Sequence, residues 1–186
     1  MSRRVHLYIA SSLDGYIAGP DESIDWLFTD ADYGYTDFIA GIDTIVMGRK
    51  SYELALNFGD WPYPSGRESI VFTRGSRKPD ARVRFTARSP REEIEELRGR
   101  SGGDIWLLGG GVLVQSFLEE GLVDTLQLGL HPTVLGGGIP LFPAGTPHTN
   151  FRLLSSTPWP SGLVMLNYEV LRSEREEKSG TQTSQR

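Results

Sequence analysis

Gly48-Arg49-Lys50-Ser51, Thr73-Arg74 and Gly109-Gly110-Gly111-Val112 are the three places where this 186-residue sequence can hold phosphate. Each follows a short apolar run, and the first and third precede segments that read as helices. A helix start presents unpaired N–H groups and the positive end of a dipole, which suits an anion. Glycine lets the backbone approach a ligand and adopt dihedrals closed to other residues. Arginine adds a planar fork of donors matched to phosphate oxygens. Taken singly, Arg49 and Arg74 read as solvated surface charges, and the glycines as a tight turn. Together, at the strand ends of an α/β sheet where ligands bind, they point to a nucleotide.

The candidates for proton chemistry are carboxylates. Asp14, in Leu13-Asp14-Gly15, is either a substrate contact or a turn residue. Asp30, Asp32 and Asp37 lie at the start of a helical segment, where a carboxylate either caps the helix or moves a proton. His6, His131 and His148 are too widely spaced for a metal-ligand pattern and read as structural. There is no cysteine, hence no disulfide and no thiolate metal site, and no metal is expected. Trp106 reads as core, whereas Trp26 and Trp61 are placed to line a flat heterocycle.

The elements that must position these residues alternate between strand and helix. Strands are expected over Val5 to Ala10, Thr44 to Met47, Ser69 to Thr73, Val83 to Phe85, Asp104 to Leu108 and Val123 to Leu130. Helices are expected over Asp30 to Ile42, Arg49 to Phe58, Ser89 to about Gly99, and Val112 to Glu120. Ser89-Pro90 is a strong start signal, with serine as cap and proline at the first helical position. Leu13 to Pro20 reads as a loop. Phe151 to Ser155 and Leu163 to Val170 have no helix between them and should pair antiparallel at one sheet edge. The alternation predicts a mostly parallel sheet covered on both faces.

The length and ordinary apolar content fit one domain over residues 1–171, with a disordered polar tail over 172–186. The net charge of −5 argues against nucleic acid as the main partner. No apolar run is long enough to span a bilayer, and no apolar stretch of a signal peptide follows Arg3-Arg4. With no cysteine, this fits a cytoplasmic protein acting on a small molecule.

Four motifs, in this order, carry a resemblance over about residues 3 to 170. They are Ser12-Leu13-Asp14-Gly15-Tyr16-Ile17-Ala18, Val46-Met47-Gly48-Arg49-Lys50-Ser51-Tyr52-Glu53, the Leu108-to-Gly111 turn, and His131-Pro132-Thr133-Val134-Leu135-Gly136-Gly137-Gly138-Ile139-Pro140-Leu141-Phe142. The chain resembles the dihydrofolate reductase superfamily. Within it, the chain is similar to the reductase domain of bifunctional riboflavin-biosynthesis deaminase–reductases and its free-standing relatives. The resemblance implies a three-layer αβα fold with a mixed, mostly parallel sheet and an antiparallel C-terminal edge. It implies an NADPH-dependent reductase that transfers hydride to a C=N or C=O bond of a small heterocycle, such as 5-amino-6-(5-phosphoribosylamino)uracil, and a homodimer.

Residue by residue, Gly48, Arg49, Lys50 and Ser51 match the turn that holds the adenosine phosphates. Thr73 and Arg74 match the strand end near the adenosine 2′-phosphate. Gly109, Gly110, Gly111 and Val112 match the pyrophosphate turn. Ala10 and Ile17 match positions whose backbone holds the nicotinamide carboxamide. Asp32 falls near the acidic residue that binds the pterin in dihydrofolate reductases, with Asp30 and Asp37 close by. Tyr16 stands where riboflavin-type reductases commonly carry lysine, so a less charged substrate is expected, unless Lys50 or Arg67 reaches the tail. Two alternatives are a dihydrofolate reductase, against which the Leu135-to-Phe142 loop argues, and a nucleotide-binding regulatory module without catalysis.

Overall fold

The computed structural model of the chain describes residues 2–172, so all but the first residue of the expected tail lies outside the described residues. The strands are β1 (Val5–Ser11), β2 (Tyr16–Ala18), β3 (Ile42–Gly48), β4 (Glu68–Phe72), β5 (Arg84–Thr86), β6 (Asp104–Gly109), β7 (Thr125–Leu130), β8 (Ile139–Pro140), β9 (Asn150–Pro158) and β10 (Val164–Leu171). The helices are α1 (Tyr35–Ala40), α2 (Arg49–Leu56), α3 (Pro90–Arg98) and α4 (Gly111–Glu119). Eight strands form one sheet in the order β5-β4-β3-β6-β1-β7-β10-β9. The pairs from β5 through to β7 are parallel, and β10 pairs antiparallel with both β7 and β9. This is the expected α/β architecture with its antiparallel C-terminal edge.

Alternation along the central strands fills a core on each face of the sheet. Val5, Leu7, Val46, Ile70, Ile105 and Leu107 turn one way, toward Ile94 and Leu97 of α3 and Val114 and Phe117 of α4. Ile45, Met47, Val71 and Trp106 turn the other way, toward Ile39 of α1 and Tyr52 of α2. Period-two alternation with apolar residues on both faces is what a strand covered on both sides requires. Trp106 is buried as expected, and its indole N–H donates to the Tyr8 carbonyl at 2.9 Å.

Two elements depart from the expectations. The helix expected over Asp30 to Ile42 spans only Tyr35–Ala40, and Ile42 already begins β3. Tyr33 and Gly34 both have positive φ, 52° and 83°, which a helix cannot continue through. The expected loop after Leu13 contains β2, which pairs with β8 in a separate two-stranded ribbon. The signal for β2 is only three residues, too short for periodicity to show.

The start of α3 is the expected one. Ser89 Oγ accepts from the Glu92 N–H, Glu92 accepts from the Ser89 N–H, and Pro90 opens the helix.

Candidate active site

The C-terminal ends of β1, β3, β4 and β6 open into a cleft of about 1300 Å³. Ala10, Ile17, Gly48, Arg49, Lys50, Ser51, Thr73, Arg74, Gly110, Gly111 and Val112 all line it. These residues come from five separate stretches of sequence, and the fold gathers them into one concavity. Gly109 does not line the cleft. A Cβ there would lie 2.9 Å from Ile9 Cδ1, so this glycine lets β6 end against β1.

Two helices start at the cleft without side-chain caps: α2 after Gly48 and α4 after Gly110. The contrast is α3, whose start also borders the cleft but is closed by its capping box. Uncapped starts leave N–H donors and positive dipole ends available to an anion. The two turns are neighbours, since a Cβ on Gly110 would sit 3.7 Å from Ser51 Oγ. Gly110 has φ 58° and ψ 135°, a region for glycine, and no atom stands closer to its missing side chain. Gly111 differs, because a Cβ there would meet the Pro140 carbonyl oxygen at 2.4 Å.

Five basic side chains border the cleft: Arg49, Lys50, Arg74, Arg77 and Arg88. Arg49 and Arg77 share Glu53, at 2.7 and 3.3 Å. Lys50 pairs with Glu22 of the loop after β2, and Arg88 with Glu96 of α3. Among the described residues Arg74 makes no ion pair.

A second cavity, of about 410 Å³, meets the cleft at Ile9, Ala10 and Leu27, which line both. Its walls include Tyr8, Phe28, Tyr33, Tyr35, His131 and Met165, residues not singled out from the sequence as a group. Tyr8 stacks on Phe38 with 4.2 Å between ring centroids. Burial, with added repulsion from Asp32, pushes its phenol up to about 12, so it stays protonated at neutral pH. Its hydroxyl has no hydrogen-bond partner among the described residues, leaving it a donor to whatever enters. Tyr8 lies two residues before Ala10 in a strand that also holds His6 and Ser11, so no local signal in the sequence marks it.

His131 is held by two backbone groups. Nε2 lies 3.2 Å from the Phe28 N–H, which can only donate, so Nε2 accepts and carries no proton. Nδ1 then donates to the Gly129 carbonyl at 3.1 Å. Burial pushes its pKa down, and the imidazole stays neutral. The structural role expected for it is observed, although it also forms part of the cavity wall.

Asp32 lines the cavity, but its carboxylate is largely committed. It accepts from the Gly34 N–H at 3.1 Å, the Thr36 N–H at 3.1 Å and Thr36 Oγ at 2.7 Å. Those bonds close the start of α1, which is the capping alternative. Asp30 accepts from the Tyr33 hydroxyl at 2.6 Å. Asp14 lines neither space. It accepts from Ser12 Oγ at 2.6 Å and from the N–H groups of Leu135 and Gly136 at 3.1 and 2.7 Å. Foremost the Ser12 hydrogen bond, then the two amides, lower its pKa. It thereby ties the loop after β1 to the glycine-rich loop before β8, which is the turn alternative.

Tyr16 lines neither space, and Arg67 is spent on the carbonyls of Ile39 and Ile42 at 2.8 and 3.0 Å. Trp26 and Trp61 do not line a heterocycle site as expected. Trp26 packs edge-on against His131 at 5.1 Å, and Trp61 against Tyr63 at 5.2 Å. Among the described residues no cluster of three or more His, Asp or Glu could hold a metal ion, and no helix is long and apolar enough to cross a membrane.

Comparison with known proteins agrees with the fold. The chain is 36% identical over 177 residues to an uncharacterized Bacillus subtilis protein, YyaP, spanning 89% of this chain and 94% of that one. It superposes on the crystal structure of a putative riboflavin biosynthesis protein from Shewanella sp. PV-4 with a TM-score of 0.81. That match has 28% identity and covers 92% of this chain and all of the other. Dihydrofolate reductase from Enterococcus faecalis, solved with NADP(H), shares the fold at a TM-score of 0.69 and 19% identity, over 92% of this chain and all of the other. Residues 3–165 match the model of the RibD C-terminal domain, and the chain belongs to that family.

Proposed function

We propose that this chain is an NADPH-dependent reductase of a small heterocycle, of the riboflavin-biosynthesis type. The observation that carries the reading is the pairing of two uncapped helix starts, at Gly48 and Gly110, in one cleft that meets an aromatic cavity at Ile9 and Ala10. The residues present fit a dinucleotide phosphate. Gly110 keeps the space beside Ser51 open, the first turns of α2 and α4 offer N–H donors, and Arg49 and Arg74 stand at the strand ends where a 2′-phosphate would be met. The backbone of Ala10 and Ile17 can hold a carboxamide, which needs both a donor and an acceptor. The fold shared with an NADP(H)-bound dihydrofolate reductase supports the same choice of cofactor.

Bound NADPH would supply a hydride at the junction of cleft and cavity. The chain's own residues orient the substrate and exclude water. Phe28, Tyr33 and Tyr35 wall the cavity, and the protonated Tyr8 phenol donates a hydrogen bond into it. Asp32 at the rim has about one lone pair left after its three donors, enough to orient an amino group or a water that delivers the proton.

Replacing Arg49 and Arg74 together by Ala should weaken NADPH binding and leave NADH binding nearly unchanged. A charge-assisted contact contributes about 1.5–3 kcal/mol, or roughly tenfold to a hundredfold in affinity. Titration calorimetry with both cofactors measures this, and equal losses for the two would remove the 2′-phosphate assignment.

We also propose that the chain pairs as a homodimer. β9 is the sheet edge, and Leu153 and Leu154 on it are 52% and 56% exposed. An exposed apolar edge strand is usually paired or shielded. Light scattering at micromolar concentration should give twice the chain mass, and L153K/L154K should halve it. A monomer mass for the unaltered chain would rule the pairing out.

A further inference from the structure

Every segment that walls the smaller cavity is free of lysine and arginine. From Val5 to Gly48 there are eight carboxylates and no Lys or Arg, and from Thr125 to Phe151 there is neither. Leu163 and Met165, on the remaining wall, lie in a stretch from Trp159 to Leu171 that also lacks both. Five basic side chains border the larger cleft instead. The two spaces differ in charge: five cations and three carboxylates border the cleft, whereas the cavity wall holds no cation and one carboxylate, Asp32.

The one side chain of the cavity wall that could become cationic is His131, and its two ring nitrogens are fixed by the Phe28 amide and the Gly129 carbonyl. Protonating Nε2 would turn that acceptor into a donor facing a donor, so the ring cannot charge without breaking the contact. Neither Lys50, which borders the cleft and pairs with Glu22, nor Arg67, which is bound to two carbonyls, lines the cavity. The cavity does offer an aromatic wall, a phenol donor in Tyr8, and a carboxylate acceptor in Asp32.

We propose that this cavity takes a flat nitrogen heterocycle that carries no phosphate or carboxylate tail, neutral or cationic, in place of the phosphorylated ribosylamino-pyrimidine of riboflavin synthesis. The inference rests on reading the adjoining cleft as the cofactor site and names the substrate class of that site. A phosphate leaving water here would gain no cation in exchange for its hydration, and it would approach the Asp32 carboxylate.

The test uses a matched pair: an aminouracil bearing a free ribityl chain, and the same compound with its terminal phosphate. Calorimetric titration into the NADPH-loaded protein should show the unphosphorylated compound bound at least tenfold more tightly. Ala31→Lys, which places an ammonium at the exposed cavity rim, should close that gap by about tenfold. Equal or tighter binding of the phosphate ester by the unaltered protein would overturn the proposal, and so would binding of neither compound. Failure of the cofactor reading shows separately, as absence of NADPH binding. The pair titrated without cofactor then still reports the charge preference of the cavity.

Discussion

Gly110→Val should abolish NADPH binding, by a hundredfold or more, in a domain that still folds. Gly110 stands between two helix starts, at φ 58° and ψ 135°, with nothing nearer to a new Cβ than Ser51 Oγ at 3.7 Å. The first atom of a side chain would thus meet open space, and the rest of the valine would fill the gap between the α2 and α4 turns. That gap is where the phosphates are proposed to lie. The conformation itself costs about 1–3 kcal/mol for a non-glycine residue, which is less than the roughly 5–15 kcal/mol that holds a domain together. The neighbouring position behaves differently. At Gly111 the first added atom meets the Pro140 carbonyl at 2.4 Å and Pro143 at 3.1 Å, so even alanine must push backbone apart. Gly111→Ala should therefore lower the melting temperature of the apo protein, whereas Gly110→Val should mainly erase the upward shift caused by NADPH. Thermal melts with and without NADPH distinguish the two. A Gly110→Val variant still stabilised by NADPH would reduce the glycine turn to a structural device.

The cleft was legible in the sequence because its residues announce themselves by type. Glycine and arginine at strand ends have few other uses in combination, and the strands before them are long enough to show their pattern. The cavity was not legible, because its residues are ordinary core types. Tyr8, His131 and Met165 come from three strands or strand ends that only tertiary pairing brings side by side, β1 next to β7 and β7 next to β10. Nothing local distinguishes a tyrosine that faces a cavity from one that packs. The acidic candidates show the same limit. Asp32 and Asp14 were each open to two readings, and hydrogen-bond geometry alone reveals that one closes a helix start and the other pins two loops. The shortened α1 has a local cause that was also hidden, since Tyr33, a residue type that does not announce it, adopts positive φ just before Gly34. The absence of cations from the cavity, by contrast, was written in the sequence, as a run from Val5 to Gly48 without a basic residue other than His6. It gained meaning only once the fold showed which space that run encloses.

Arg84→Met should destabilise the protein by about 3–5 kcal/mol at neutral pH, the scale for breaking one partner out of a buried ion pair. The carboxylate of Glu93 is fully buried, while the Arg84 side chain is 39% exposed. Burial would raise the pKa of Glu93, but hydrogen bonds from Arg84 and from Thr86 Oγ at 2.8 Å outweigh it and lower it. Removing Arg84 leaves the buried charge with the Thr86 hydroxyl and Arg88 at 4.0 Å. Removing the charge instead, by Glu93→Gln, leaves Arg84 with Glu68 at 2.9 Å and with water, and should cost only about 1–2 kcal/mol. The pH dependence follows in sign. In the unaltered protein Glu93 has a folded pKa below its unfolded value of about 4.3, so its contribution is present above that pH and is lost as pH falls below it. Without Arg84 the folded pKa rises instead, the buried carboxyl takes up a proton on mild acidification, and the deficit of Arg84→Met should shrink between pH 7 and pH 5. Thr86, Arg88 and Ser89 border the cleft, so this pair also fixes the wall formed by β5 and the start of α3. Chemical denaturation at the two pH values measures both effects. An Arg84→Met deficit that is no larger than that of Glu93→Gln, or that grows on acidification, would show that the buried carboxylate does not depend on this arginine.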